Sequence, residues 1–481
     1  MTMHATGAGK RIVIVGGGVT GLTVCYRVQM LARERQVPVQ VTLLEASGRL
    51  GGVIATDYED DWLLERGPDC LITTKPWGVQ LCEELELHDE LIGTSTQHRQ
   101  SFIVRHGVLR PVPQGLYLMA PASFWSFVTS DIVSWRGKLR MGFEPCIPRH
   151  VAAEDESLAQ FVTRRLGREA LERIAQPMVG GIYTADPAKL SLRATMPQFL
   201  EMEQQHGSLI RALRRNQRQR HSTAKDGTSG PRYGLFVSFK RGMQTLTDRL
   251  TACLPPATVR LHTRVTRVQR MPESSRWLLQ VDGRCALEAD ALCLALPAPQ
   301  AGHLVREVDT ALATALDIPY ASSAICNLVF RRTDVSHPLN GMGFVVPAVE
   351  NRALIACSFS SVKFPGRAPD DHVLLRAFVG GALQHEQYDM ADDAIERTVL
   401  QDLRQLLGTT GEPLHVSTSR HPQAMAQYHL GHLDRVAQIE LRAERLPDLV
   451  LAGNGYHGVG IPDCIRSGEV AAQALLGMQA A

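Results

Sequence analysis

The sequence predicts an α/β fold with a parallel sheet, carrying an α+β portion and a mostly helical portion as insertions. Three observations predict it. A strand, a glycine turn, a helix and a second strand open the chain at residues 11–44. A strand, a glycine turn and a helix close it at residues 449–477. Between them lie many short strands with alternating apolar residues and few long helical patterns.

The opening unit is the most informative. Arg11-Ile-Val-Ile-Val15 is a short apolar run, followed at once by Gly16-Gly17-Gly18-Val19-Thr20-Gly21. Leu22 to Glu34 has apolar residues at helical spacing, and Val39–Leu44 is a second strand ending at Glu45. Gly16 allows a tight turn, Gly18 has no side chain to obstruct a pyrophosphate, and Gly21 lets the helix approach the sheet. The helix N-terminus then faces phosphate. Glu45, 24 residues after Gly21, is placed to accept hydrogen bonds from a ribose. This is a Rossmann-like dinucleotide site. Arg49 and the glycine pair Gly51-Gly52 follow so soon that a second close approach of backbone to cofactor is expected, with Arg49 facing the pyrophosphate or a neighbouring carboxylate.

Trp62-Leu-Leu64 reads as a strand and Glu65-Arg-Gly-Pro-Asp69 as a turn. Residues 76–92 contain a short helix. Ser101 to Leu109 reads as a hairpin turning at Gly107, ended by Pro111 and Pro113. Residues 116–147 crowd Leu116, Tyr117, Phe124, Trp125, Phe127 and Trp135, either as the core of a helical unit or as an amphipathic patch over a membrane or an apolar ligand. Residues 155–175 read as one helix ended by Pro177. Arg211, Arg214, Arg215, Arg218, Arg220 and His221 have no acid among them, but no aromatic platform accompanies them. A solvated helix end followed by a polar loop at 223–231 explains them better than an RNA-binding arm.

A helix follows from Lys240 through Leu250, then strands at 258–262, 263–268, 277–281 and 286–296, the last returning the chain to the first sheet. Strands at 325–330, 343–346, 354–359 and 373–379 and a helix at 391–407 form the α+β portion. In the closing unit, glycines at 453, 455, 458 and 460 crowd the approach to a helix starting near Ile461. So many glycines cost entropy unless backbone must meet a ligand. The helix N–H groups would then face a ring carbonyl or the phosphates of that ligand.

Composition bounds the alternatives. The chain has 481 residues, 44% hydrophobic and 21% charged, enough for two or three structural units. Its formal charge of +2 supplies no global field for nucleic acid or an anionic membrane. None of the ten cysteines is spaced as CxxC, so buried thiols in a reducing compartment are expected rather than a metal knuckle. The segment Met1 to Lys10 lacks the apolar stretch of a signal peptide, and no apolar run is long enough to span a bilayer. A cytoplasmic protein, with peripheral contact at the inner face of the membrane left open, is the expectation.

At this level the chain resembles the oxygen-dependent protoporphyrinogen oxidases of haem synthesis and their bacterial coproporphyrinogen III oxidase relatives, in the flavin-containing amine oxidase superfamily. The resemblance runs almost end to end. It is carried by Gly16 to Gly21, Glu45 to Gly52, Gly67-Pro68-Asp69, Gly137 to Arg140, Pro177 to Leu192, Lys240 to Leu246, Tyr428 to His432 and Gly453 to Ile465. It implies an FAD-binding domain of the glutathione reductase/amine oxidase type from residues 10–75, 225–300 and 430–481. It implies a substrate domain from 76–110, 186–224 and 301–429, and a helical domain over 111–185. By residue matching, FAD contacts fall on Gly16, Gly17, Gly18, Val19, Thr20, Gly21, Glu45, Arg49, Gly51, Gly52, Val53, Gly67, Pro68, Asp69, Cys70, Val265, Asn454, Val459, Gly460 and Ile461.

The implied reaction is six-electron oxidation of a porphyrinogen to a porphyrin, in three hydride transfers to flavin N5 with oxygen reduced to hydrogen peroxide. The partners are then a tetrapyrrole and oxygen, with ferrochelatase contact and a homodimer left open. No metal and no proton-transfer residue is assigned. His457 is a candidate for local polarity or a plain loop histidine. One departure bears on substrate: Ser101 stands where many protoporphyrinogen oxidases carry an arginine for a propionate, with Arg99, Arg105 and Arg110 nearby. This favours coproporphyrinogen III over protoporphyrinogen IX. The rival readings are a flavin amine oxidase, a carotenoid desaturase, and a non-catalytic FAD protein that binds haem-pathway partners.

Overall fold

The structure, a computed structural model, describes residues 9–113, 116–117, 119–121, 128–150, 154–215, 235–271, 273–282 and 285–478. Met1 to Ala8, the aromatics Phe124, Trp125 and Phe127, and the basic and polar stretch from residue 216 to 234 lie outside these residues.

The predicted Arg11–Val15 run is the central strand Lys10–Val15 of a five-stranded parallel sheet. Val39–Leu44 and then Val259–Arg260 lie on one side of it, Ala291–Leu294 and then Leu449–Leu451 on the other. From Ile12 to Val15 the strand is apolar at every position because both faces are covered. Ile12 and Ile14 pack against the helices Val19–Glu34 and Ile461–Leu475. Val13 and Val15 pack toward Trp277, on the middle strand of an antiparallel three-stranded sheet formed by Val265–Arg270, Trp277–Val281 and Cys285–Ala289. The two helices touch closely: a Cβ on Gly468 would lie 2.9 Å from the carbonyl oxygen of Thr20.

The second large element is a seven-stranded sheet in the order His415–Ala426, Tyr320–Arg331, His372–Gly380, Leu354–Phe359, Gly343–Val345, Ser101–Arg105, Val108–Pro111. All its pairs are antiparallel except Gly343–Val345 with Ser101–Arg105. The predicted hairpin is thus the sheet's outer pair, turned at His106 (φ +51°) and Gly107 (φ +73°). One face of the sheet, including Cys326, Leu328 and Phe330, packs on Ile395, Val399 and Leu403 of the helix Asp392–Leu407. The other face carries Asn327 and Arg376 toward residues 65–70.

Two elements in this region are not expected from sequence. The strand His415–Ala426 contains Pro422, which a sheet tolerates at an edge, and this strand is an edge. The helix His432–Ala443 begins at Gly431, with φ +78°.

The helical portion differs from its expectation at one place. The helix over 155–175 is divided: Leu158–Arg165 is closed N-terminally by a Ser157–Gln160 capping box and stops before Gly167, whose φ is +97°. The chain resumes at Arg168, passes through a π-helical turn at Leu171–Ala175 and continues as Gln176–Tyr183. Pro177 therefore lies inside a helical stretch rather than ending it. The wide turn just before it relaxes the bonding pattern that a proline ring would otherwise break. Among the described residues no helix is long and apolar enough to cross a membrane.

Candidate active site

The C-terminal ends of the parallel strands open onto a cleft of about 720 Å³, where an open α/β sheet places its ligands. Gly16 to Thr20, Glu45, Gly51 to Val53, Val265, Pro422 to Ala424, Gly453 and Asn454 are among the residues that line it.

The three motif glycines have different reasons for lacking a side chain. A Cβ on Gly16 (φ +109°) would lie 2.3 Å from the Ala295 carbonyl oxygen, and one on Gly21 only 1.9 Å from that of Gly16. These two are required by packing. A Cβ on Gly18 would meet nothing within 4 Å. Its position is kept clear by no protein atom, and it lies at the wall of the cleft beside the helix starting at Val19. The first-turn N–H groups of that helix have no acceptor within the helix. Open space, free donors and a helix dipole together suit a pyrophosphate.

The Glu45 carboxylate receives the backbone N–H groups of Gly17 and Ser47, each at 2.7 Å. A carboxylate accepts about four hydrogen bonds, so roughly two lone pairs remain for ribose hydroxyls. The Arg49 guanidinium donates to the carbonyls of Gly52 (2.6 Å) and Ile54, so it braces the loop bearing Gly51 and Gly52. Gly51 in turn donates to the Gly17 carbonyl at 2.8 Å, which joins the two glycine segments.

Gly67 approaches the carbonyl of Val53 so closely that a Cβ would lie 1.9 Å from it. Asp69, two residues on, is bound by side chains that sequence reasoning missed. Its carboxylate takes both Lys363 Nζ (2.9 and 3.1 Å) and Arg376 Nη1 (3.2 Å), and Arg376 also donates to the Gly67 carbonyl. Burial opposes its ionisation, yet the charges of Lys363 and Arg376 hold the Asp69 carboxyl well below the usual carboxylate range. Burial likewise pushes the neighbouring Cys70 thiol up to about 12. No local spacing could signal this cluster, because its members lie some 300 residues apart and meet only through the sheet.

In the closing unit, Gly453 (φ +136°) and Gly458 (φ +153°) shape the turn before Ile461. The Asn454 side chain accepts from Tyr320 Oη (3.0 Å) and donates to the Ala424 carbonyl (3.0 Å). Val459 and Gly460 precede the helix, and the Asp463 carboxylate accepts from the Gly460 N–H (3.2 Å) and Lys75 Nζ (2.6 Å). His457 stands apart: it is mostly exposed and pairs with Glu440 at 2.7 Å, as a plain loop histidine does. Further cleft residues missed from sequence are Leu296, Pro297, Gln300, His303 and Gln423. The Ala-Leu-Pro that ends the returning strand was the available signal for the first two. On the hairpin, Ile103 pairs with Arg110 and no bulge intervenes, so Ser101, Arg105 and Arg110 share one face, with Arg110 paired to Asp131 at 3.1 Å.

A parallel sheet covered on both faces, with a glycine turn open to a ligand and an acid after its second strand, defines a dinucleotide-binding protein. Comparison with known proteins narrows this. The family described as flavin containing amine oxidoreductase matches residues 21–476. The coproporphyrinogen III oxidase of Bacillus subtilis is 34% identical over 466 residues, covering 96% of this chain and 97% of its own. The chloroplastic protoporphyrinogen oxidase of Nicotiana tabacum is 30% identical, covering 96% and 84%. A solved structure from Exiguobacterium sp. 255-15, provisionally described as a protoporphyrinogen oxidase, superposes with a TM-score of 0.86 at 31% identity, covering 97% of this chain and 98% of that one. The chain belongs to the flavin-containing amine oxidoreductase family and, within it, to the protoporphyrinogen and coproporphyrinogen III oxidases. It is an FAD-dependent oxidoreductase.

Proposed function

We propose that the protein oxidises a porphyrinogen to a porphyrin in haem biosynthesis, with coproporphyrinogen III as the preferred substrate and oxygen as electron acceptor. The observation that carries the reading is the cleft lined by Gly18, Glu45 and Asn454, in a chain similar almost end to end to a coproporphyrinogen III oxidase. Bound FAD would supply the hydride-accepting, oxygen-reducing chemistry. The protein's part is to bind and orient. Backbone donors at Val19 and Thr20 hold the pyrophosphate, Glu45 the ribose and the Val265 backbone the adenine, while the loops at Gly51–Val53, Gly67–Cys70 and Asn454–Ile461 surround the rest.

In this reading residues 10–75, 225–300 and 430–481 form the FAD unit, 76–110, 186–224 and 301–429 the substrate unit, and 111–185 the helical unit. A cytoplasmic location with peripheral membrane contact is part of the proposal. Its support is Trp135, Leu139 and Phe143, each about two-thirds exposed on one side of a short helix, with Arg136 and Lys138 beside them.

Coproporphyrinogen III is favoured by Ser101, which leaves no arginine to fix one propionate at that position, and by the name of the Bacillus relative. Protoporphyrinogen IX is the second reading, favoured by the Nicotiana relative and the description of the Exiguobacterium structure. Rates on both porphyrinogens, corrected for spontaneous oxidation, test the proposal. Turnover of neither, with amines oxidised instead, would replace it with an amine oxidase.

A further inference from the structure

We infer that Tyr428 is the positioning residue of the cofactor turn at its C-terminal end, acting through Asn454 and Gly458. The inference rests on the FAD reading and adds a residue that touches no cofactor itself. The Tyr428 hydroxyl donates to the Asn454 carbonyl at 2.8 Å and accepts the Gly458 N–H at 2.7 Å. One oxygen thus ties both ends of a five-residue segment that contains two glycines and would otherwise be expensive to order.

The hydroxyl is itself fixed. The Tyr428 ring is 2% exposed and lies flat on the His432 ring, with centroids 3.8 Å apart and planes 12° apart. His432 Nε2 meets the Tyr456 carbonyl at 2.9 Å, so that nitrogen carries the proton and the ring cannot rotate without losing the bond. The Tyr428 carbonyl accepts the Ser191 N–H at 2.8 Å. The clamp therefore sits where the chain leaves the seven-stranded sheet, touches the residue 183–191 segment and meets the C-terminal turn. Asn454 is consequently held at three points: its carbonyl by Tyr428, its side-chain oxygen by Tyr320 and its side-chain amide by Ala424. Gly453, Asn454 and Ala424 line the cleft, whereas Tyr428 stands behind them.

The Tyr428→Phe variant of the full-length protein tests this by keeping the ring and its stacking while removing both bonds. The expected result is a folded protein whose FAD dissociation constant rises about tenfold. Its visible flavin band should change shape, and its reduction equilibrium should move about tenfold, which is about 30 mV for a two-electron couple. Substrate KM should change less than kcat. A folded Tyr428→Phe protein with native FAD affinity, spectrum and potential overturns the inference. If that variant does not fold, His432→Leu decides in the same way, since it retains the hydroxyl but removes the surface that aims it. Failure of the underlying FAD reading is distinguishable, because the unmodified protein would then bind no FAD.

Discussion

Lys363 Nζ lies 2.9 Å from Asp69 Oδ2, joining the loop that follows the strand Trp62–Glu65 to the short helix Ser360–Lys363. Both side chains are largely buried, and Arg376, almost wholly buried, completes the group from the strand His372–Gly380 of the seven-stranded sheet. Glu65 and Arg367 lie within the same shielded region, where Glu65 accepts the Met243 N–H at 2.7 Å and Arg367 donates to Ser238 Oγ at 2.7 Å. The loop that follows the strand Trp62–Glu65 is therefore anchored by charge. Buried charge is costly unless every member is paired.

Removing one partner should consequently be more damaging than its single ion pair suggests. Lys363→Met is expected to destabilise the fold by about 1.5–3 kcal/mol, the loss of one charge-assisted partner with Arg376 left as the remaining cation beside Asp69. Urea denaturation at neutral pH measures it. The Asp69 carboxyl is depressed in the folded state, so its contribution is complete above its ordinary range near 4 and is lost as pH falls below it. The variant should show a smaller acid-limb loss, because only Arg376 then holds the Asp69 carboxyl down. Equal stability for both proteins at neutral pH would refute the anchoring role.

The motif glycines should separate under mutation. Gly18→Leu should leave the melting temperature of the apoprotein nearly unchanged, because nothing lies within 4 Å of its Cβ position, yet abolish the yellow colour. Gly21→Ala should destabilise the protein, since its methyl would press on the Gly16 carbonyl at 1.9 Å, an overpacking cost of about 1–3 kcal/mol or more. Full FAD occupancy in Gly18→Leu would remove that glycine from the site.

Glu45→Ala should weaken FAD by about 1.5–3 kcal/mol through loss of charge-assisted ribose bonds. It also frees the Gly17 and Ser47 N–H groups now held at 2.7 Å. Glu45→Gln, which keeps one acceptor oxygen, should fall between the two in an equilibrium titration of apoprotein with FAD. A Gln variant as weak as Ala would instead place the whole effect on the lost charge.

His432 supplies a pH signature. Burial lowers its imidazole from 6.5 to about 4, so the folded protein keeps it neutral while the unfolded chain protonates it. Stability is complete above 6.5 and declines as pH falls toward 4, by about 3 kcal/mol at one pKa unit per 1.36 kcal/mol. His432→Gln should show a flatter dependence between those two values in thermal melts. Parallel curves for the two proteins would count against a buried neutral histidine.

The parts of this molecule that were legible in sequence are those with a local rule. The Lys10–Val15 strand, its glycine turn and Glu45 follow from spacing alone, because a tight turn and a buried strand each restrict residues within a few positions. The Ser101–Pro111 hairpin was legible from Gly107 for the same reason. The bonds of Arg49 to the carbonyls of Gly52 and Ile54 were not, because nothing in Glu45-x-x-x-Arg49 says that a guanidinium also holds the carbonyls of its own loop. Lys363, Arg376 and Tyr428 were not legible either. Each is an ordinary residue in its own segment, and its role exists only after the sheet and the C-terminal turn have met. Pro177 misled because a proline is a helix breaker in regular geometry, and the π-helical turn before it is not regular.

Substrate choice gives the last prediction. Coproporphyrinogen III has four propionates, whereas protoporphyrinogen IX has two propionates and two vinyl groups. A substrate with two carboxylates gains most from one fixed bidentate arginine, while four carboxylates are served by several cations of looser geometry. On the hairpin, Ser101 offers only a hydroxyl on the face it shares with Arg105 and Arg110, and Arg110 is already paired with Asp131. Ser101→Arg should therefore move the ratio of kcat/KM values toward protoporphyrinogen IX by about tenfold, or 1.4 kcal/mol of transition-state binding. The unmodified protein should use coproporphyrinogen III at least as well as protoporphyrinogen IX. Steady-state rates on both substrates for both proteins decide the matter. A native preference of tenfold or more for protoporphyrinogen IX rejects the assignment of substrate and leaves porphyrinogen oxidation standing. A Ser101→Arg ratio equal to the native one shows that the hairpin face does not contact a propionate.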